Sequence, residues 1–194
     1  MERTLFNNKC SSYLLISLAG VSAGLLVAFF SRFPSDDLWS LALFSSMTFG
    51  FWMFTSSLIA LYSSKNYVAG AHVALYVYFM FYVTGIFKRL AVVHNGYNTF
   101  DYFLNGLWQE LAYGLPAAVG CFALAFLLWY GRKNKPISVV LRFAPLLFIL
   151  AEAVDLWIVV FNRGQALFMA VIDTVCAAAY LLIILRSSHL KSSS

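Results

Sequence analysis

Glu152 and Asp155 lie three residues apart in LFILAEAVDLWIVVF, residues 147–161, a stretch that is otherwise almost pure hydrocarbon. On a helix that spacing puts both carboxylates on one face. A carboxylate near the middle of a membrane span costs about 2.5–3.5 kcal/mol on insertion scales, and such groups usually face the bundle interior or a wet cavity. Asp173 follows across the short turn NRGQ, so its helix must be the neighbour of theirs. Together the three acids could hold a positive charge: a cationic or amine-bearing small molecule, a proton, or a partner's basic side chain. Glu110 would sit at the rim of the same cavity. Trp157, Tyr76 and Trp108 are candidates to add ring faces, since an organic cation is held by an aromatic face and a counter-charge together. The plainer readings stand beside this one. The acids could be solvated near the interface, pair with Arg163, or bond to a neighbouring hydroxyl. The aromatics could be packing and interface belts.

Catalytic chemistry finds little support. There is no H-E-x-x-H, no G-x-S-x-G and no nucleophile placed to complete the acid pair. Cys10, Cys121 and Cys176 are isolated, with no C-x-x-C, which argues against a redox enzyme or a zinc cluster. His72, His94 and His189 form no H-x-x-x-H, so no helical metal or haem site is expected. The reading is a non-enzyme without a cofactor.

Membrane helices must position these acids. The chain has 194 residues, 62% hydrophobic and 11% charged, with mean hydropathy +0.80. A soluble domain is roughly half apolar and about a quarter charged, so this chain cannot coat a soluble globule. The expected fold is all-α, a polytopic membrane protein of six transmembrane helices in one domain over residues 1–194. About 20 apolar residues cross the hydrocarbon core. The qualifying segments are residues 13–30, 39–62, 69–87, 108–130, 139–161 and 166–185. The first has no small-residue cleavage site after it, so it reads as a retained span.

Lysine and arginine set the orientation. Arg3, Lys9, Lys65, Arg132, Lys133, Lys135, Arg142, Arg186 and Lys191 fall on one side, and Arg32, Lys88, Arg89 and Arg163 on the other. This bias puts both termini in the cytoplasm, with a net charge of +5 explained by topology and no nucleic-acid partner. The acids sort the opposite way. Asp36, Asp37 and Asp101 fall in outer loops, and Asp155, Asp173 and Glu152 lie about 9, 10 and 14 Å below the outer ends of their helices at 1.5 Å per residue. The third loop, FKRLAVVHNGYNTFDYFLNGLW, is the longest and is expected on the membrane surface or over the bundle mouth. Pro116 and Pro145 interrupt the fourth and fifth spans, as in broken transporter helices.

The first span carries SLAGVSAGLLVA, in which Gly20-x-x-x-Gly24 overlaps Ala19-x-x-x-Ala23. Such spacing lets another helix approach closely, inside the bundle or on a separate membrane protein. The six short spans, the inside termini and LAGVSAGLLVA resemble the substrate-binding S components of energy-coupling factor transporters, whose alanine-rich first helix docks on a transmembrane partner. That resemblance implies vitamin or small-nutrient capture, a membrane partner subunit with separate ATPases, and a bacterial cytoplasmic membrane. It carries over no site residue, because those sites differ with each ligand. FWMFTSSLIALYSS also resembles uncharacterised six-span bacterial membrane proteins, which implies no function. The expected function is therefore transport, with a cationic or amine-bearing small molecule bound in an outward-facing acidic and aromatic cavity. The alternatives are a stand-alone carrier or cation channel, an intramembrane enzyme and an accessory subunit.

Overall fold

A computed structural model describes residues 4–34, 37, 39, 49–94, 100–133 and 136–192. The elements are α1 (Cys10–Phe30), α2 (Gly50–Tyr62), α3 (Asn66–His94), α4 (Phe100–Leu128), α5 (Pro136–Arg163) and α6 (Leu167–Ser192), with a 3₁₀ turn over Trp129–Arg132 closing α4. Among the described residues there is no strand, only an isolated bridge between Phe6 and Ser63. Five helices, α1 and α3 to α6, are long and apolar enough to cross a membrane. The 13 residues of α2 span about 20 Å, less than the roughly 30 Å hydrocarbon core. Residues 40–48 of the expected second span lie outside the described residues, as do Glu2, Arg3, Asp36, Phe44 and Lys135.

The helices turn their large apolar side chains outward. On α1, Leu14, Leu18 and Leu26 are exposed while Ile16, Gly20, Ala23, Gly24 and Val27 are buried. In water that arrangement would be unstable. In lipid the tails are as apolar as leucine, and close packing of small residues holds helices together. A Cβ on Gly20 would lie 2.6 Å from the Tyr76 carbonyl oxygen, and one on Gly24 2.7 Å from that of Met80. The backbones of α1 and α3 therefore touch. Thr84 Oγ1 adds an interhelical hydrogen bond, donating to Gly24 O at 3.2 Å as well as to Met80 O at 2.8 Å.

Helix α3 packs on α1 and on α4, while α5 pairs with α6. Helix α2 joins these two groups, touching α3, α4, α5 and α6. By contrast α4 and α5 barely meet. The α5–α6 turn closes at Gly164, whose φ of +67° suits glycine, and its N–H donates to Val160 O at 2.8 Å. The long third loop is corrected. Helix α3 continues to His94 and α4 starts at Phe100, so most of that segment is helical. Each helix has 29 residues, about 43 Å, and outruns the hydrocarbon core. Arg89 Nε, which donates to Glu110 Oε1 at 2.8 Å, ties the two extensions together.

At the opposite end the chain converges on Ser63. Its Oγ donates to Ile59 O at 2.7 Å and lies 3.1 Å from His72 Nδ1. Its carbonyl accepts from Trp129 Nε1 at 2.9 Å and from Arg132. Phe6 and Tyr13 pack their rings on His72, which is fully buried. The start of α1, the end of α2, the start of α3 and the end of α4 are thus locked at one point.

Candidate functional site

Glu152 and Asp173 do come together, as the short α5–α6 turn requires, but they meet on the backbone of α2. Glu152 Oε1 accepts the N–H of Phe49, and the Asp173 carboxylate lies against Gly50, where a Cβ would be 2.5 Å from its Oδ1. Gly50 is about 18 Å from Tyr62 along the helix. In lipid an unsatisfied backbone N–H costs several kcal/mol. Two carboxylates at a helix N-terminus supply acceptors and match the positive end of its dipole. One oxygen of each acid, Glu152 Oε2 and Asp173 Oδ2, is buried with no hydrogen-bond partner. Asp173 is 3% exposed.

The remaining predicted residues do not gather around that pair. Asp155 shares the turn with Glu152 but is exposed. Trp157 donates its Nε1 proton to Thr174 Oγ1 at 2.9 Å, which fixes α5 on α6. Tyr76 is buried: its backbone carbonyl faces Gly20 in the α1–α3 contact, while its hydroxyl faces Thr55 and Cys176. Trp108 is 76% exposed on α4. Glu110 is paired with Arg89. Gly20, Ala23 and Gly24 are consumed by packing inside the bundle, while Ala19 is exposed. The helical phase decides this: 20, 23, 24 and 27 share one face and 19 leaves it.

Two cavities stand out among the described residues, and none of Glu152, Asp155 and Asp173 lines either one. The first, about 370 Å³, lies between the upper parts of α3 and α4 and is lined by Phe81, Lys88, Arg89, Tyr102, Glu110 and Tyr113. Glycines make room for its charges. A Cβ on Gly85 would strike the Glu110 carboxylate, and one on Gly106 would lie 2.5 Å from the Arg89 guanidinium. Arg89 is held further by Gln109 Oε1 at 3.1 Å and by the Tyr102 ring, 5.2 Å from its Cζ.

The second cavity, about 520 Å³, fills the gap that α4 and α5 leave between them, with α2 and α3 behind. Trp52, Val77, Phe81, Ala125, Leu128 and Pro145 are among its walls, and the exposed Leu124, Leu127 and Phe148 form its edge toward the surroundings. Its polar wall residues include Ser56, Ser57 and Cys121, together with Trp52, whose Nε1 is buried without a hydrogen-bond partner. Phe81 lines both cavities and meets Trp52 edge to face at 4.3 Å. Sequence reasoning described neither space, although the candidate Glu110 lines the first and Pro145, which interrupts the fifth span, lines the second. Among the described residues no group of three or more His, Cys, Asp and Glu could hold a metal ion. No protein-family model, curated protein or solved structure matches the chain.

Proposed function

We propose that the chain is a membrane binding and transport protein that captures a small, largely apolar molecule in the cavity bounded by α2, α3, α4 and α5. The observation that carries this is the 520 Å³ apolar space where α4 and α5 part. Its volume falls in the roughly 300–1,000 Å³ range of ligand sites, and such sites combine apolar walls with a few polar groups, as Ser56, Ser57 and Trp52 supply here. Its exposed edge faces the bilayer, so the ligand enters sideways from lipid.

This reading keeps the transport role expected from the sequence and changes the ligand. A cationic ligand needs acids lining its cavity. Glu152 and Asp173 instead serve the start of α2, and Glu110 has Arg89. Six spans with both termini in the cytoplasm remain the topology, on the lysine and arginine bias. The protein acts as a capture subunit beside a membrane partner with separate ATPases, without enzymatic chemistry of its own. The outward face of α1, with Leu14, Leu18 and Ala19, would meet that partner, because the glycine face is engaged with α3.

The test is photolabelling of purified protein in nanodiscs with a diazirine-bearing alkane, read by peptide mass spectrometry. Saturable labelling of the α4–α5 walls is expected, together with its loss in Ala144→Phe. Ala144 lines the cavity from its exposed side, so added bulk there enters the cavity with little strain on the core. Labelling that is non-saturable and equal on all lipid-facing helices overturns the proposal.

A further inference from the structure

The two cavities lie at different heights. Counted from Asn66, at 1.5 Å per residue, Val73 and Phe81 are about 10 and 22 Å up α3 and Lys88 is about 33 Å up. The hydrocarbon core is about 30 Å thick. The apolar cavity therefore lies at acyl-chain depth, and the cavity holding Lys88, Arg89 and Glu110 lies at headgroup depth. They adjoin at Phe81. The upper lining contains two cations and one acid, Glu110, which is bonded to Arg89. Among the described lining residues the bases outnumber the acid by one.

Resting on the reading of the lower cavity as a ligand site, we infer that the natural ligand is a single-chain amphiphile with an anionic oxyanion head. The chain occupies the apolar cavity, and the carboxylate or phosphate head sits beside Lys88 and Arg89. A cationic head would meet the two bases, and a neutral one would make no ionic contact with them. Arg89 already has a fixed fork geometry, held by Glu110, Gln109 and Tyr102, and it presents further N–H donors suited to an oxyanion. The Phe81–Trp52 edge contact forms the wall past which the chain must thread.

The experiment is competition against the bound diazirine alkane by four amphiphiles of equal chain length: an alkanoate, an alkyl phosphate, an alkanol and an alkyltrimethylammonium. The anions are expected to compete roughly tenfold better than the alkanol, as for hydrogen bonds to a charged group, and the ammonium worse than the alkanol. The ratio of anion to alkanol affinity should fall several-fold in Lys88→Gln and rise in Glu110→Gln. Whichever anion competes better identifies the head, carboxylate or phosphate. Equal competition by all four heads overturns this inference and leaves the apolar site standing. No competition by any amphiphile, with the alkane itself unsaturable, overturns the proposed function as well.

Discussion

Replacing Gly20 by alanine puts a methyl carbon 2.6 Å from the Tyr76 carbonyl oxygen and 3.2 Å from Phe79 Cβ. The first contact involves backbone on a packed helix, so a side-chain rotation cannot relieve it. Helices α1 and α3 must separate locally, which lengthens the Thr84 bond to Gly24 O and loosens the contacts around Ile16 and Val27. Overpacking of this kind costs about 1–3 kcal/mol. Alanine also gains about 0.8–1.0 kcal/mol over glycine from helix propensity. Gly120 provides the control, because it is helical in α4 and a Cβ there meets nothing within 4 Å. Gly120→Ala receives the propensity gain alone. The propensity contribution cancels in the difference, so Gly20→Ala should be less stable than Gly120→Ala by about 1–3 kcal/mol. The assay is SDS-driven unfolding of the purified protein in mixed micelles, followed by far-UV circular dichroism. Two variants that agree within about 0.5 kcal/mol, the range of ordinary surface changes, would refute the claim that the glycine face is buried in the bundle.

Two further perturbations address the polar contacts. Glu152→Ala removes the acceptor for the Phe49 N–H and should lower stability by about 0.5–2 kcal/mol, while Glu152→Gln keeps an acceptor oxygen and should lose less. Equal losses in the same unfolding assay would show that backbone capping is not what this side chain does. Ser63→Ala strips His72 Nδ1 of its partner at a buried position and should cost about 1–3 kcal/mol, whereas Ser64→Ala, next door, should stay within about 0.5 kcal/mol. If the two serines behave alike, the Ser63 hydroxyl and its contact with His72 carry no stability.

Composition made the long spans legible. Residues 13–30 and 139–161 fall inside α1 and α5, and 166–185 enters α6 one residue before its start at Leu167, since a run of about 20 apolar residues leaves few other readings. The third loop was misread because its residues are mixed. Lys88, Arg89 and Asp101 lower its hydropathy below that of a span, yet such a segment can remain helical once it leaves the hydrocarbon core. The contact that holds those extensions, Arg89 to Glu110, joins residues 21 apart across a hairpin and leaves no periodic trace. The closeness of Glu152 and Asp173 was readable from a short turn and matched depth. Their partner was not, because a backbone N–H has no letter in the sequence. The Ser63 hub escaped for a related reason: the Ser63 carbonyl accepts from two side chains nearly seventy residues away. The G-x-x-x-G spacing predicted a close approach, and only the phase of the helix chose α3 as the neighbour.

The acids change meaning once their partners are known. Read as a set, Glu110, Glu152, Asp155 and Asp173 formed a negative field awaiting a cation. In the fold they separate by what each touches. Glu152 and Asp173 address a helix terminus deep in the bundle, Asp155 is exposed, and Glu110 is held by Arg89 over a glycine floor. A carboxylate with a fixed protein partner contributes little net charge to a ligand. Charge sorting along the chain therefore describes orientation, while the sign of a site depends on the side chains that line its cavity. Among the described residues around the upper cavity two bases face one acid, which points to an anionic head. The lower cavity is walled chiefly by hydrocarbon, and this points to an apolar chain. The two spaces share Phe81, so a single molecule with both parts accounts for both.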